Sequence, residues 1–276
     1  MSKKTSSKGA ADDRAARVGN GIVIACLVVA VGGLLAFFLW PMPPDGGAKT
    51  AADPLRHGAT NISKSGTNLS SQPLPLSELS TNLTGDPNPD LAATLVSEGT
   101  ALLTAGRISE AIVRLRMAVY HNPGDEDIRY NYAIALGRAE QFEEAIKQYN
   151  EAIRIFPDYV EARNNLGNVY RRLGRDADAV KQFEEAIRIM PEHAGAHNNL
   201  GSVLTHQGKM REAILEFAEA VRLDPKFEQA RYNLGNGFAA QKKKAEAIEQ
   251  FTELLKLNPQ FELAKAALER VKKLPD

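Results

Sequence analysis

Residues 160–193 read VEARNNLGNVYRRLGRDADAVKQFEEAIRIMPEH, and the chain repeats this 34-residue unit, with variations, on either side. Prolines mark the register at Pro123, Pro157, Pro191, Pro225 and Pro259, each 34 residues from the next. Units set at 92–125, 126–159, 160–193, 194–227 and 228–261 align small residues at the eighth position: Gly99, Ala133, Gly167, Gly201 and Gly235. The twentieth position holds Ala111, Ala145, Ala179, Ala213 and Ala247. The twenty-fourth is bulky throughout, with Leu115, Tyr149, Phe183, Phe217 and Phe251, and the twenty-seventh is Ala118, Ala152, Ala186, Ala220, then Leu254. Two antiparallel helices of about a dozen residues approach closely only where a small residue faces a large one. The small positions make the hole and the residue four after the alanine supplies the knob. Proline ends the second helix, because the residue before it is pushed out of the α region.

A period of 34 with these small, bulky and proline positions resembles the tetratricopeptide repeat. The resemblance covers five units over residues 91–261 and implies an all-α, right-handed superhelical solenoid whose stacked units share one continuous core. One departure is the fourth position, often Trp in that family, which holds Leu95, Arg129, Arg163, His197 and Arg231. Residues 262–276 are expected to form a terminal capping helix. Its apolar stripe would be Leu263, Ala267, Val271 and Leu274, with Glu262, Lys265, Glu269, Lys272 and Lys273 on the solvent side.

In this family the first helix of each unit lines the concave groove. The sixth position there reads Ser97, Asn131, Asn165, Asn199 and Asn233, with Asn168, Ser202 and Asn236 at the ninth. Asparagine is a mediocre helix former, so neither propensity nor core packing asks for it. An amide carries a donor and an acceptor, matching a peptide group's own pair. Helices about 8–10 Å apart would present one amide per roughly three residues of an extended peptide. The row resembles the groove of the tetratricopeptide domain of O-GlcNAc transferase and implies peptide binding at Asn131, Asn165, Asn199, Asn233, Asn168, Asn236 and Ser202. The other reading of the same amides is that they knit adjacent repeats together. The carboxylate clamp of chaperone-binding relatives uses Lys or Arg at groove positions that here hold Tyr130, Glu161, Asn164 and Gly195. Chaperone-tail binding is not expected.

Upstream, residues 21–40 read GIVIACLVVAVGGLLAFFLW without a charge. A helix of that length spans about 30 Å, the thickness of a bilayer's hydrocarbon core. Trp40 suits the interface, and Pro41, Pro43 and Pro44 stop the helix. A cleaved signal has a shorter apolar core of about 7–15 residues. Val23-Ile24-Ala25 before Cys26 resembles a lipobox, yet most of the apolar run follows the cysteine. A retained transmembrane helix is therefore expected. Lys3, Lys4, Lys8, Arg14 and Arg17 precede it and only Lys49 and Arg56 follow closely. The positive-inside rule then makes residues 1–20 a cytoplasmic basic tail and sends the solenoid across the membrane, into the periplasm of a bacterium.

Between span and solenoid, Pro, Ser, Thr, Gly and Asn fill 28 of the 50 positions 41–90, with no aromatic residue. Such a segment buries too little apolar surface to offset its ordering entropy, so a disordered linker is expected. Three N-x-[ST] triplets, at Asn61, Asn68 and Asn82, would be exposed glycan acceptors in a eukaryotic secretory protein; the other reading is that a spacer of that composition generates them by chance.

With 34 Lys plus Arg against 34 Asp plus Glu, the chain has no net charge and no general pull toward nucleic acid. A single cysteine excludes a disulfide framework and any Cys-rich zinc site. His193 and His197 could face one metal only if they shared a helix, but His193 lies in the turn after Pro191 and no carboxylates complete a site. Glu143-Glu144 and Glu184-Glu185 read as solvated helix faces, and Lys242-Lys243-Lys244 as a short basic turn. No phosphate loop or nucleophile motif is present, so neither an enzyme, a cofactor nor a small-molecule substrate is expected. The architecture implies a membrane-anchored scaffold that binds an extended peptide or partner protein. A substrate-recruiting subunit of a separate enzyme, such as a glycosyltransferase, is the alternative.

Overall fold

The computed structural model describes residues 86–275, all helix and turn. Eleven helices succeed one another there: α1 (Pro89–Thr104), α2 (Ile108–His121), α3 (Glu126–Arg138), α4 (Phe142–Ile155), α5 (Val160–Arg172), α6 (Asp176–Ile189), α7 (Ala194–His206), α8 (Met210–Leu223), α9 (Glu228–Ala240), α10 (Lys244–Leu257) and α11 (Glu262–Lys272). Each 34-residue unit is one helix pair, and α11 follows the fifth. The expected transmembrane helix at 21–40 and the linker up to residue 85 lie outside the described residues. Among the described residues no helix is long and apolar enough to cross a membrane.

Within each pair the eighth and twenty-fourth positions meet as their sizes demand. A Cβ placed on Gly99, Gly167, Gly201 or Gly235 would fall 2.6 to 2.7 Å from Leu115, Phe183, Phe217 or Phe251 respectively. Phe183 and Phe251 are fully buried, each worth about 1.5–3 kcal/mol of transfer free energy. First and second helices join through a tight turn whose fifteenth residue takes positive φ: Gly106, Glu140, Gly174, Gly208 and Lys242. The next N–H reaches back to a carbonyl of the first helix, as Arg175 does to Tyr170 at 2.9 Å. That bond satisfies a carbonyl left over at the helix end. Each second helix stops before its proline, where Asn122, Phe156, Met190, Asp224 and Asn258 all have extended or near-extended backbone.

Two boundaries differ from expectation. Helix α1 starts at Pro89, inside the stretch read as linker, because the Asn88 side chain accepts from the Leu91 N–H at 3.0 Å and proline is at home at a helix start. Helix α11 ends at Lys272 and buries Ala264, Ala267 and Val271, while Leu263 is only half-buried and Leu274, beyond the helix, is exposed.

Consecutive first helices touch (α1 with α3, α3 with α5, α5 with α7, α7 with α9), whereas no two second helices do. A stack whose first helices lie closer together than its second helices curves with the first helices inside. This places α1, α3, α5, α7 and α9 along the concave face.

Candidate functional site

The concave face carries the sixth-position asparagines, and all four are half-buried. Three bridge to the preceding repeat. Asn165 Nδ2 donates to the Tyr130 hydroxyl at 3.0 Å, Asn199 Nδ2 to Asn164 Oδ1 at 3.0 Å, and Asn233 Nδ2 to Asn198 Oδ1 at 2.9 Å. The spacing is 35 in each case: the sixth position of one repeat meets the fifth of the one before. Asn131 instead donates to the Asp127 carbonyl of its own helix at 2.8 Å. Gln229 Nε2 donates to Asn233 Oδ1 at 2.9 Å and Asn198 Nδ2 approaches Asn199 Oδ1 at 3.5 Å. A chain of amides thus runs from Gln229 through Asn233, Asn198 and Asn199 to Asn164.

At the ninth position, Ser202 Oγ donates to the Asn198 carbonyl at 2.9 Å, Asn236 is half-buried, and Asn168 Oδ1 is buried without a hydrogen-bond partner. All seven candidate residues therefore lie on first helices, and sequence reasoning missed their partners at the fifth position. The 35-residue offset that identifies those partners was present in the sequence but lies one step off the repeat period.

Beside Asn165, Tyr130 and Tyr159 stack at a tilt with centroids 5.0 Å apart, and the Tyr159 hydroxyl donates to Asp127 Oδ1 at 2.6 Å. Burial first, and then the negative charge of Glu161, pushes the Tyr130 hydroxyl up to about 12. Burial raises Tyr149 and Tyr159 further still, Asp127 adding to the effect at Tyr159. Glu161 itself is exposed.

The fourth position, where the chain departs from the usual Trp, holds a second recurring device. Arg129 Nε donates to the Pro123 carbonyl at 2.8 Å and its Nη1 to Gln148 Oε1 at 3.0 Å. Arg231 Nη2 donates to the Pro225 carbonyl at 2.9 Å and its Nη1 to Gln250 Oε1 at 3.1 Å. Arg163 binds the Pro157 carbonyl at 2.7 Å. His197 binds the Pro191 carbonyl through Nε2 at 2.9 Å and Glu216 through Nδ1 at 2.7 Å. Each of these four side chains staples the turn before its repeat, and three of them reach on to the second helix of the same repeat.

His193 does not join His197 in a metal pair. Its Nδ1 accepts from the Ala196 N–H at 2.9 Å and caps α7. Among the described residues no group of three or more His, Cys, Asp or Glu is placed to hold a metal ion.

Models of the tetratricopeptide repeat match residues 124–192 and, in a second form, 165–227 and 207–261, together half of the chain. Similar solved structures share the fold. A MamA fragment beginning at residue 41, from Desulfovibrio magneticus RS-1, superposes with a TM-score of 0.55 at 22% identity, over 62% of this chain and 97% of that one. YrrB, a TPR protein with an unusual peptide-binding site, gives 0.52 at 22% identity over 66% and 92%. PilF of Pseudomonas aeruginosa gives 0.61 at 19% identity over 67% and 84%. No curated protein matches the sequence significantly. The repeat period, the helix pairs and the matched models together assign the chain to the tetratricopeptide repeat family.

Proposed function

We propose that this protein is a membrane-anchored scaffold that holds an extended peptide or partner protein along its concave face, outside the cytoplasm. The observation that carries the peptide reading is the row of asparagines on that face, one per repeat from Asn131 to Asn233. The lateral bonds are compatible with it. A primary amide has two N–H groups and an oxygen with two lone pairs, so one bond to a neighbouring repeat leaves valence for a ligand. The same bond holds the side chain in one rotamer, which lowers the entropy lost when a ligand binds. Each rung contributes about 1 kcal/mol net, so several act together.

Anchoring rests on the uncharged 21–40 stretch, and the outward orientation on the cationic tail before it. Alkaline phosphatase fused after residue 91 tests the side in a bacterial host. Activity there supports export, whereas silence with a cytoplasm-active reporter lit at the same position reverses the orientation. For the groove, partner capture by the full chain is compared with capture by a variant in which Asn131, Asn165, Asn199 and Asn233 are all Ala. With helicity and melting midpoint matched, loss of the captured proteins supports the groove, and undiminished capture overturns it.

A further inference from the structure

The four staples differ in one respect. Arg129, Arg163 and Arg231 are cations at every accessible pH, but His197 is one only when doubly protonated. Its second-helix partner differs in step: Glu216 stands where Gln148, Gln182 and Gln250 stand in the other repeats. The two acceptors define the proton count at which both bonds form. A carbonyl oxygen only accepts, so the contact with Pro191 places a hydrogen on Nε2. A carboxylate also only accepts, so the contact with Glu216 places a second hydrogen on Nδ1. The ring that makes both bonds is an imidazolium facing a carboxylate.

Two residues upstream, His193 has the opposite requirement. Its Nδ1 accepts the N–H of Ala196, so that nitrogen carries no proton. With all three contacts made, the joint between the third and fourth repeats combines one charged and one neutral histidine. The charged groups facing His197 are Glu216 and Glu219 of α8, the latter held by Arg222, with His193 at the start of α7 and Glu161 of α5 beside His193. Asn198 and Asn199, which carry the amide chain into both neighbouring repeats, follow His197 directly.

We propose that this joint is a proton-operated clamp, closed while His197 is an imidazolium and opened when its second ring proton leaves. Opening removes one of the two bonds that tie α7 to α8 and to the Pro191 turn, and it loosens the helix that carries the central amides.

The direction of the effect follows from linkage. The bond to Glu216, first among the causes, raises His197 above the ordinary 6.5, against the opposing effect of burial. Its contribution to stability is therefore complete below 6.5 and disappears as pH rises through the folded-state value. Burial lowers His193, so its contribution is complete above 6.5 and disappears on the acid side. The two windows do not overlap.

The test is the melting midpoint of the full chain from about pH 6.5 to 8, for wild type and for His197→Arg. The variant installs the residue that three other repeats already carry at this position. The wild-type midpoint is expected to fall by about 2–4 °C across that interval. The variant is expected to stay flat there, because the fall that belongs to His193 lies on the acid side of this interval. Proton NMR of the His197 ring, assigned by its absence from the variant, reads the site directly and titrates above 6.5. An equal slope in both proteins overturns the proposal, and so does a His197 ring titrating at or below 6.5.

Discussion

Gly167 lies so close to Phe183 that a methyl group on it would sit 2.6 Å from the ring's Cε1 and 2.8 Å from Cζ. Real carbon contacts do not occur at that distance, so either the ring or the helix must move. Phe183 is fully buried, and close-packed interiors leave a ring little room to move. The small eighth position is thus a condition for α5 and α6 to pack at this separation, and the 34-residue recurrence of small and bulky residues is the sequence record of that contact.

Gly167→Ala is accordingly expected to destabilise the solenoid by about 1–3 kcal/mol, the usual range for overpacking, despite the better helix propensity of alanine. Chemical denaturation followed by circular dichroism measures it. A variant at least as stable as wild type would show that α5 and α6 are not held at this separation.

Two of the five tight turns place a side chain in the left-handed region: Glu140 and Lys242, each with φ of 59°. An L-residue there carries a steric cost of about 1–2 kcal/mol that glycine avoids. Lys242→Gly should therefore stabilise the chain, by about 0.5–1 kcal/mol after glycine's extra unfolded-state entropy is subtracted. Glu140→Gly should gain less, because it also removes the ion pair with Arg172 at 2.9 Å. Melting midpoints of the two variants rank them, and a drop for Lys242→Gly would contradict the turn geometry.

How much of this was legible beforehand depends on the offset at which residues interact. Contacts inside a repeat recur every 34 residues, so reading down the columns exposed the Gly167–Phe183 type of pair and the proline stops. Contacts between repeats join position six to position five, and a column at 34 hides a partner at 35. Asn199 and Asn164 therefore looked like separate groove residues, although they bond to one another. The fourth-position cations looked like lost tryptophans because their partner is a main-chain carbonyl, which no side-chain pattern reveals. The α11 stripe was misjudged at two of its four residues, Ala264 being buried in place of Leu263 and Leu274 lying exposed beyond the helix, since the packing against α9 and α10 decides which edge of an amphipathic helix is covered.

The staple carries its own prediction. Arg231 ties the Pro225 carbonyl to Gln250 through a planar fork. Arg231→Lys keeps the charge but offers one point donor, so it cannot reach both acceptors in the same geometry. Arg231→Lys and Arg231→Ala are expected to lose stability by similar amounts, about 1.5–3 kcal/mol, as a charge-assisted hydrogen bond is removed. Full retention in the lysine variant, measured by denaturation, would mean that charge alone suffices.

The buried tyrosines set an alkaline limit. Tyr130 ionises only near 12 in the folded protein, and burial holds Tyr149 and Tyr159 higher still. A hydroxyl whose folded value exceeds its unfolded one, about 10, stabilises the fold fully below 10 and progressively less as pH rises toward the folded value. Between pH 10 and about 12, helicity should therefore be lost together with the appearance of tyrosinate absorbance from these residues. Tyrosinate from all seven tyrosines of the chain with helicity intact would contradict their burial.

The amide chain separates knitting from binding. Asn233 donates to Asn198 at 2.9 Å, and if that bond helps hold the repeats together the two side chains must be energetically coupled. A double-mutant cycle with Asn198→Ala and Asn233→Ala should give a coupling of about 1 kcal/mol in stability, since a partner left alone inside the stack loses its hydrogen bond. The same four proteins can then be compared for partner capture. If the amides only knit, capture follows stability and vanishes only where the solenoid melts. If they also face a ligand, capture by Asn233→Ala falls well below what its modest loss of stability accounts for, because the second N–H of that amide has gone with the first. Capture that tracks the melting midpoint across all four proteins would remove Asn233 from the binding surface and leave it as a rivet between the fourth and fifth repeats.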